Sequence, residues 1–199
     1  LFKLMGDNKF DKVLNIGCGP NLYPSMIVAP YLDDDGKIFM ADYSYKNLSY
    51  LRRLKEYNGQ EIKMWEKFEN LLVSVDDSIY RNCIQKTIKN MVIQKGDIFN
   101  LSKNEYDCGV AFFVTESIGS NIDIFNKATK CLIDSIKKDG IIITAHVLGS
   151  RDYYAGMNTK FPSTKITTKD LDSIYKHYLK NYEILPISHS GEGATPRSG

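Results

Sequence analysis

The sequence predicts an α/β domain built on a mostly parallel sheet with helices on both faces, and three observations carry that expectation. Short apolar runs alternate with stretches of helical periodicity from Lys12 to Ala145, the rhythm of strand, crossover helix and strand. The first run, Val13-Leu14-Asn15-Ile16, ends in Gly17-Cys18-Gly19-Pro20, as a buried parallel strand does when the turn after it must admit a ligand to its backbone. The next, Phe39-Met40-Ala41, ends in Asp42. A carboxylate about twenty residues past such glycines suits the two hydroxyls of a ribose, so an adenosine-containing cofactor is expected.

Each element follows in order. Leu1 to Met5 reads as the tail of a helix that stops at Gly6. Lys12 to Ile16 is the first strand. Pro20 to Leu32 is its helix, with Asp33-Asp34-Asp35-Gly36 as a solvated turn rather than a metal loop, because Gly36-Lys37-Ile38 adds no oxygen ligands. Lys37 to Ala41 is the second strand, and Leu48, Leu51 and Leu54 recur at helical spacing behind Tyr43-Ser44-Tyr45-Lys46-Asn47. Trp65, Phe68, Leu72, Val75, Ile79, Ile84 and Ile88 continue a helical pattern with a break near Asp76-Asp77-Ser78, and Trp65 reads as core.

Met91 to Ile93 is a short strand leading to Gly96-Asp97-Ile98, and Tyr106 to Phe113 is a central strand that runs into Val114-Thr115-Glu116-Ser117. Ile124 to Ile136 is an amphipathic helix closed by Asp139-Gly140, and Ile141 to Ala145 is a buried strand ending at His146. Gly149 to Pro162 reads as an aromatic loop of the kind that covers a pocket. Thr168-Lys169-Asp170 opens a helix through Leu179, and Glu183 to Ile187 is strand-like. Ligands in open parallel sheets bind at the carboxyl ends of the strands, so Gly17, Gly19, Asp42, Asp97, Glu116 and His146 are expected to converge on one edge.

Composition narrows the function. The 199 residues, 43% hydrophobic, suffice for one core, so residues 1–199 are expected to form a single domain. It looks clipped at both ends, since it opens at Leu1 and closes on Gly-Glu-Gly-Ala-Thr-Pro-Arg-Ser-Gly. The 26 basic and 24 acidic residues are dispersed, which argues against nucleic acid as a partner. Cys18, Cys83, Cys108 and Cys131 stand far apart, without metal-ligand or disulfide-framework spacing. No apolar stretch approaches the roughly 20 residues that span a bilayer, and no signal-peptide pattern opens the chain. A cytoplasmic protein with reduced thiols, no metal and no membrane association is the expectation.

The chain resembles the class I S-adenosylmethionine-dependent methyltransferases, and within them the nicotinamide, phenylethanolamine and thioether methyltransferase family. The matching text is Asn15-Ile-Gly-Cys-Gly-Pro-Asn-Leu-Tyr23, Asp42-Tyr43-Ser-Tyr-Lys-Asn47-Leu48, Gly96-Asp97-Ile98, the strand from Asp107, Lys138-Asp-Gly140, and Tyr153-Tyr154 with Gly156 and Lys160-Phe161. The resemblance implies a Rossmann-like sandwich that binds S-adenosylmethionine and releases S-adenosylhomocysteine. It implies that Gly17 and Gly19, with Asn15 before them, face the methionine portion, which Tyr23 helps to close. Asp42, beside Tyr43 and supported by Asn47, would hold the ribose diol. Asp97 would take the adenine amino group, with Ile98 against the ring. Glu116, His146, Tyr153 and Tyr154 become the acceptor-side residues. Two positions depart from the pattern: Asn15 stands where the family has an acid, and His146 aligns with an acidic substrate residue of the N-methylating members.

Methyl transfer from a sulfonium is an in-line displacement that rests on positioning. A neutral amine acceptor gains positive charge, which Glu116 and the faces of Tyr23, Tyr153 and Tyr154 can stabilise. For a hydroxyl or carboxyl acceptor, His146 is the candidate base. The leading expectation is methylation of a small molecule, with nitrogen favoured by the resemblance. A nicotinamide-dependent dehydrogenase is disfavoured because Leu22 stands where a third glycine belongs. A cofactor-binding partner protein without activity is the third reading, motivated by Asn15 and His146.

Overall fold

A computed structural model describes residues 5–6, 8–56, 60–150, 152–155 and 159–187. Contacts divide the chain into two compact units, Leu1–Phe112 with Asp134–Thr144, and Phe113–Ile133 with Ala145–Gly199.

The first unit holds a five-stranded parallel sheet, β1 (Phe10–Ile16), β2 (Leu32–Asp42), β3 (Met91–Lys95), β4 (Tyr106–Phe112) and β5 (Ile136–Ala145), in the order β3-β2-β1-β4-β5. The three inner strands are apolar on both faces: the adjacent pairs Val13–Leu14, Met40–Ala41 and Val110–Ala111 are all buried. That two-sided burial is what the unbroken apolar runs encode. Parallel register places Ile16 beside Ala41, and Asp42 beside Lys95, so the ends of β1, β2 and β3 share one edge. Gly96 is required there, because a Cβ on it would lie 2.6 Å from that of Ala41.

Helices α1 (Tyr23–Val28), α2 (Tyr45–Glu56), α3 (Gln60–Val75), α4 (Asp77–Tyr80) and α5 (Cys83–Asn90) complete this unit. Leu48, Leu51 and Leu54 are fully buried, each worth roughly 1.5–3 kcal/mol by removal of apolar surface from water. The helical run breaks at Asp76, whose carboxylate accepts from the Ile79 N–H at 3.2 Å and caps α4. Trp65 is 5% exposed and belongs to the core, as its place in the periodic pattern indicates.

The second unit contains α6 (Ile122–Ser135, through Ile133), the hairpin β6 (Tyr153–Ala155) with β7 (Thr159–Phe161), and α7 (Thr168–Tyr178). Thr167 and Asp170 form a reciprocal capping box at the start of α7. Phe125, Ile166, Leu171, Ile174 and Tyr175 make a small core of its own.

Several expectations need correction. The first helix ends at Val28 and a 3-10 turn covers Ala29–Tyr31. Asp33 to Gly36 then lie within β2, as an exposed excursion where two steps along β1 (Phe10 to Lys12) face five along β2 (Leu32 to Lys37). The strand pairing at Leu32 resumes before a turn can end it, and Gly36 allows the close approach to the Phe10 carbonyl. Likewise β5 begins at Ile136, with Asp139 in left-handed backbone at φ 64° inside it. The stretch from Gly149 carries the β6–β7 hairpin rather than an irregular loop. Residues 183–187 form no strand; Leu185 and Ile187 are exposed, and their alternation finds no neighbouring strand among the described residues. Of the expected first helix only Met5 is described, followed by Gly6 at φ 47°; Leu1, Phe2 and Leu4 lie outside the described residues.

One carboxylate fastens three strands. Asp107 of β4 accepts from the Asp11 and Lys12 N–H groups of β1 at 3.0 and 2.8 Å, and from Lys137 Nζ of β5 at 2.7 Å. Burial alone would raise its pKa, but the Lys137 ammonium and the two amides outweigh it and hold the carboxyl below the usual carboxylate range. A depressed native pKa adds stability above the unfolded value and forfeits it as pH falls through the native one. Asp107→Asn should therefore lower the urea midpoint at pH 7, with the gap to wild type closing below the usual carboxylate range.

Candidate functional site

The glycine turn after β1 is held open by its own backbone. Gly17 and Gly19 have φ of 62° and 58°, left-handed values that side-chain-bearing residues seldom adopt. Asp42, at the tip of β2, reaches across to fix this turn. Its Oδ2 accepts from the Gly19 N–H at 2.7 Å, and its Oδ1 accepts from the Ser44 N–H at 2.8 Å and from Asn47 Nδ2 at 3.1 Å. A carboxylate offers about four lone-pair positions, so these three bonds leave one for a further donor. Asn47 stands on the first turn of α2, where its amide meets the carboxylate.

Between the glycines, Cys18 is buried, and its thiol is pushed well above the usual range, first by burial and then by the Asp42 charge. It stays protonated and is no nucleophile. Asn15 is 1% exposed; its amide donates to Ser25 Oγ at 2.8 Å, tying β1 to α1. Tyr23, the first residue of α1, stacks on Phe68 at 5.5 Å between ring centroids and tilts against Phe112 at 6.0 Å. Phe112 is the last residue of β4, so this aromatic wall joins a strand end to the glycine turn and to α3.

The tip of β3 adds the second acid. Asp97 caps a 3-10 turn, accepting from the Phe99 N–H at 2.9 Å and from Asn100 Nδ2 at 2.8 Å, and Ile98 behind it is buried. The Gly96 N–H donates to the Asp42 carbonyl at 3.1 Å, which locks the two acid-bearing tips together. A cavity of about 460 Å³ opens here, lined by Ala41, Tyr43, Gly96, Asp97, Asn100 and Tyr106 among others. Tyr43 and Tyr45 are exposed, and Lys95 Nζ lies 5.0 Å from each ring centroid. Asp97 lines this cavity, while Asp42 and the glycines of the β1 turn do not.

In the second unit, Glu116 and His146 meet. Glu116 Oε2 is 3.0 Å from His146 Nδ1, and Glu116 Oε1 accepts from the Val147 N–H at 3.1 Å. His146 Nε2 is 2.8 Å from the Tyr175 hydroxyl. The surrounding backbone is pinned by the Thr164 N–H donating to the Glu116 carbonyl at 2.7 Å and by Thr164 Oγ1 donating to the Gly119 carbonyl at 2.6 Å. The side chains of Tyr153 and Tyr154 lie outside the described residues, as does Gly156.

The structure thus joins Gly19, Asp42 and Asn47 directly, with Asp97 fastened to Asp42 through Gly96, and it joins Glu116 to His146. Sequence reasoning missed Tyr175, Phe68 and Phe112 as contributors. Tyr175 lies on the apolar face of α7 with Leu171 and Ile174, where an aromatic residue reads as core. Asp42→Ala should cost about 2–4 kcal/mol of stability, because it strands the Gly19 and Ser44 N–H groups and the Asn47 amide. Asp97→Ala, which loses only a local cap, should cost about 1 kcal/mol. Urea denaturation of both variants measures the difference.

The model of the NNMT/PNMT/TEMT family matches residues 1–188. No curated protein sequence matches the chain. The PH0226 protein from Pyrococcus horikoshii OT3 has a similar structure, with TM-score 0.60 and 12% identity over 94% of this chain and 82% of that one. The YcgJ protein from Bacillus subtilis superposes with TM-score 0.55 at 12% identity, covering 89% of this chain, which spans only 64% of YcgJ. A DhpI-SAM-HEP complex has TM-score 0.55 at 10% identity over 86% of this chain and 71% of its own. At these identities the likenesses establish the fold.

Proposed function

For a chain that belongs to the NNMT/PNMT/TEMT family of S-adenosylmethionine-dependent methyltransferases, we propose that the acceptor is a small molecule and that nitrogen is the atom methylated. The observation that carries the cofactor site is the Asp42 carboxylate at the β2 tip, bound to the Gly19 N–H and to Asn47 with a lone pair to spare. S-adenosylmethionine supplies an activated methyl group. Everything else is positioning by the chain's own residues.

In this reading Asp42 accepts one ribose hydroxyl on its remaining lone pair, and Asn47 serves the other. Asp97, with two of its roughly four acceptor positions unused, takes the adenine amino group, and Ile98 and Tyr43 border the ring. Gly17 and Gly19 present bare backbone to the methionine portion, and Tyr23 closes it, braced by Phe68 and Phe112. Asn15 contributes a neutral amide where the family has an acid. Glu116, His146, Tyr153 and Tyr154 serve the acceptor, whose nitrogen acquires charge that a carboxylate and aromatic faces stabilise. The protein works in this scheme as a single catalytic domain in the cytoplasm, without nucleic acid or metal. Among the described residues no helix is long and apolar enough to cross a membrane.

A second reading, hydroxyl or carboxyl methylation with His146 as base, is favoured by one observation: the imidazole Nδ1 lies 3.0 Å from a Glu116 carboxylate oxygen, which orients the ring.

Calorimetric titration should show binding of S-adenosylmethionine and S-adenosylhomocysteine and none of NAD. Asp42→Ala should weaken cofactor binding about 10- to 100-fold, or about 1.4–2.7 kcal/mol; binding of NAD alone would refute the reading. Incubation with methyl-labelled cofactor and a host metabolite extract, followed by mass identification of the product, should yield a labelled amine. Labelled ethers or esters would select the second reading. Binding with no transfer to any amine, thiol or hydroxyl would leave a cofactor-binding partner protein.

A further inference from the structure

Helix α3 carries more apolar surface than its own unit uses. Ile62 and Trp65 lie in the buried core, and Leu72 and Val73 pack against it. Met64, Phe68, Leu71 and Val75 stay outside that core and are 41–64% exposed. Their spacing of four, three and four residues lays them in a single stripe, the seam pattern of paired helices. The stripe runs along a helix of 16 residues, about 24 Å long. A surface helix ordinarily turns polar residues outward. Two members of the stripe are held from behind: the Tyr50 hydroxyl donates to Met64 Sδ at 3.3 Å, and Phe68 stacks on Tyr23 at 5.5 Å between ring centroids. All of these residues belong to the first compact unit.

We infer that this stripe is a dimerisation surface, on which α3 of a second copy of the chain lies antiparallel. The stripe is self-complementary, as a twofold interface requires. An axis midway between Phe68 and Leu71 sets Met64 opposite Val75 and Phe68 opposite Leu71, so each copy meets the other with the same four residues. Charge selects the direction. Exposed Lys63 and Lys67 stand beside the first half of the stripe, with Glu61 on its other flank, and the far end runs into Asp76 and Asp77. Parallel pairing would bring lysine to lysine and aspartate to aspartate, whereas antiparallel pairing turns the lysine half of each helix toward the acidic end of the other. It also opposes the two helix dipoles favourably.

Area sets the strength. A strip of roughly 300–600 Å² matches the largest apolar patch on a typical monomer, which is often functional. Two such strips reach only the lower limit of the roughly 1,200–2,000 Å² that a standard interface buries. The dimer is therefore reversible. Pairing of this kind is independent of the reaction catalysed.

Sedimentation velocity on the full chain from about 1 to 500 μM should show a rapid monomer–dimer equilibrium with Kd on the order of 10–100 μM. Leu71→Glu, at an exposed position, should leave the urea midpoint in place and raise Kd at least about 10-fold. Leu185→Glu, at a residue 63% exposed outside the stripe, should leave Kd unchanged. Mild oxidation reads the direction: mixed Met64→Cys and Val75→Cys chains should link to each other faster than Met64→Cys links to itself, with wild type and its four cysteines as background. A monomer at every concentration, or a dimer indifferent to Leu71→Glu, overturns the inference and leaves the stripe to a different protein. Preferential self-linking of Met64→Cys overturns the antiparallel arrangement.

Discussion

The first unit depends on one carboxylate. Asp42 sits at the tip of β2, one residue past the last β1 partner, Ala41, and it supplies the acceptors for three donors on two segments. It shares the anchoring of the left-handed turn at Gly17 and Gly19 with the Ala41 carbonyl, which accepts from the Cys18 N–H at 3.2 Å, since the glycines have conformational freedom and no side chains to pack. One side chain at the β2 tip thus orders both the glycine turn after β1 and the start of α2.

The same economy holds at β3. Gly96 lets its strand press against Ala41 and gives its N–H to the Asp42 carbonyl, so Asp97 is registered against Asp42 by backbone alone. In the second unit the logic is reversed. Glu116, His146 and Tyr175 are fixed by side-chain bonds among buried groups, where an unsatisfied member would be costly.

The sheet was legible because two-sided burial produces unbroken apolar runs: Val13 to Ile16, Phe39 to Ala41 and Tyr106 to Phe113 each became a strand, the last ending one residue early at Phe112 because Phe113 turns left-handed at φ 61°. The acids at the tips of β2 and β3 were legible because glycines and spacing mark a cradle in sequence. Asp33 to Gly36 misled, since three exposed acids and a glycine are what a turn contains, and only the pairing of Leu32 with Phe10 shows that the strand begins earlier. Glu183 to Ile187 misled for the converse reason: alternation proposes a strand, but a strand also needs a neighbour. Tyr175 was invisible because its helix buries Leu171 and Ile174 on the same face, and no local signal separates a packing tyrosine from one whose hydroxyl meets a histidine 29 positions upstream.

Trp65 is the sole tryptophan. Its ring lies 5.6 Å from that of Phe68, which in turn stacks on Tyr23. The indole is therefore an intrinsic fluorophore built into the wall beside the glycine turn. Its emission would report, without any attached dye, on the packing of that wall as solvent or ligand disturbs it.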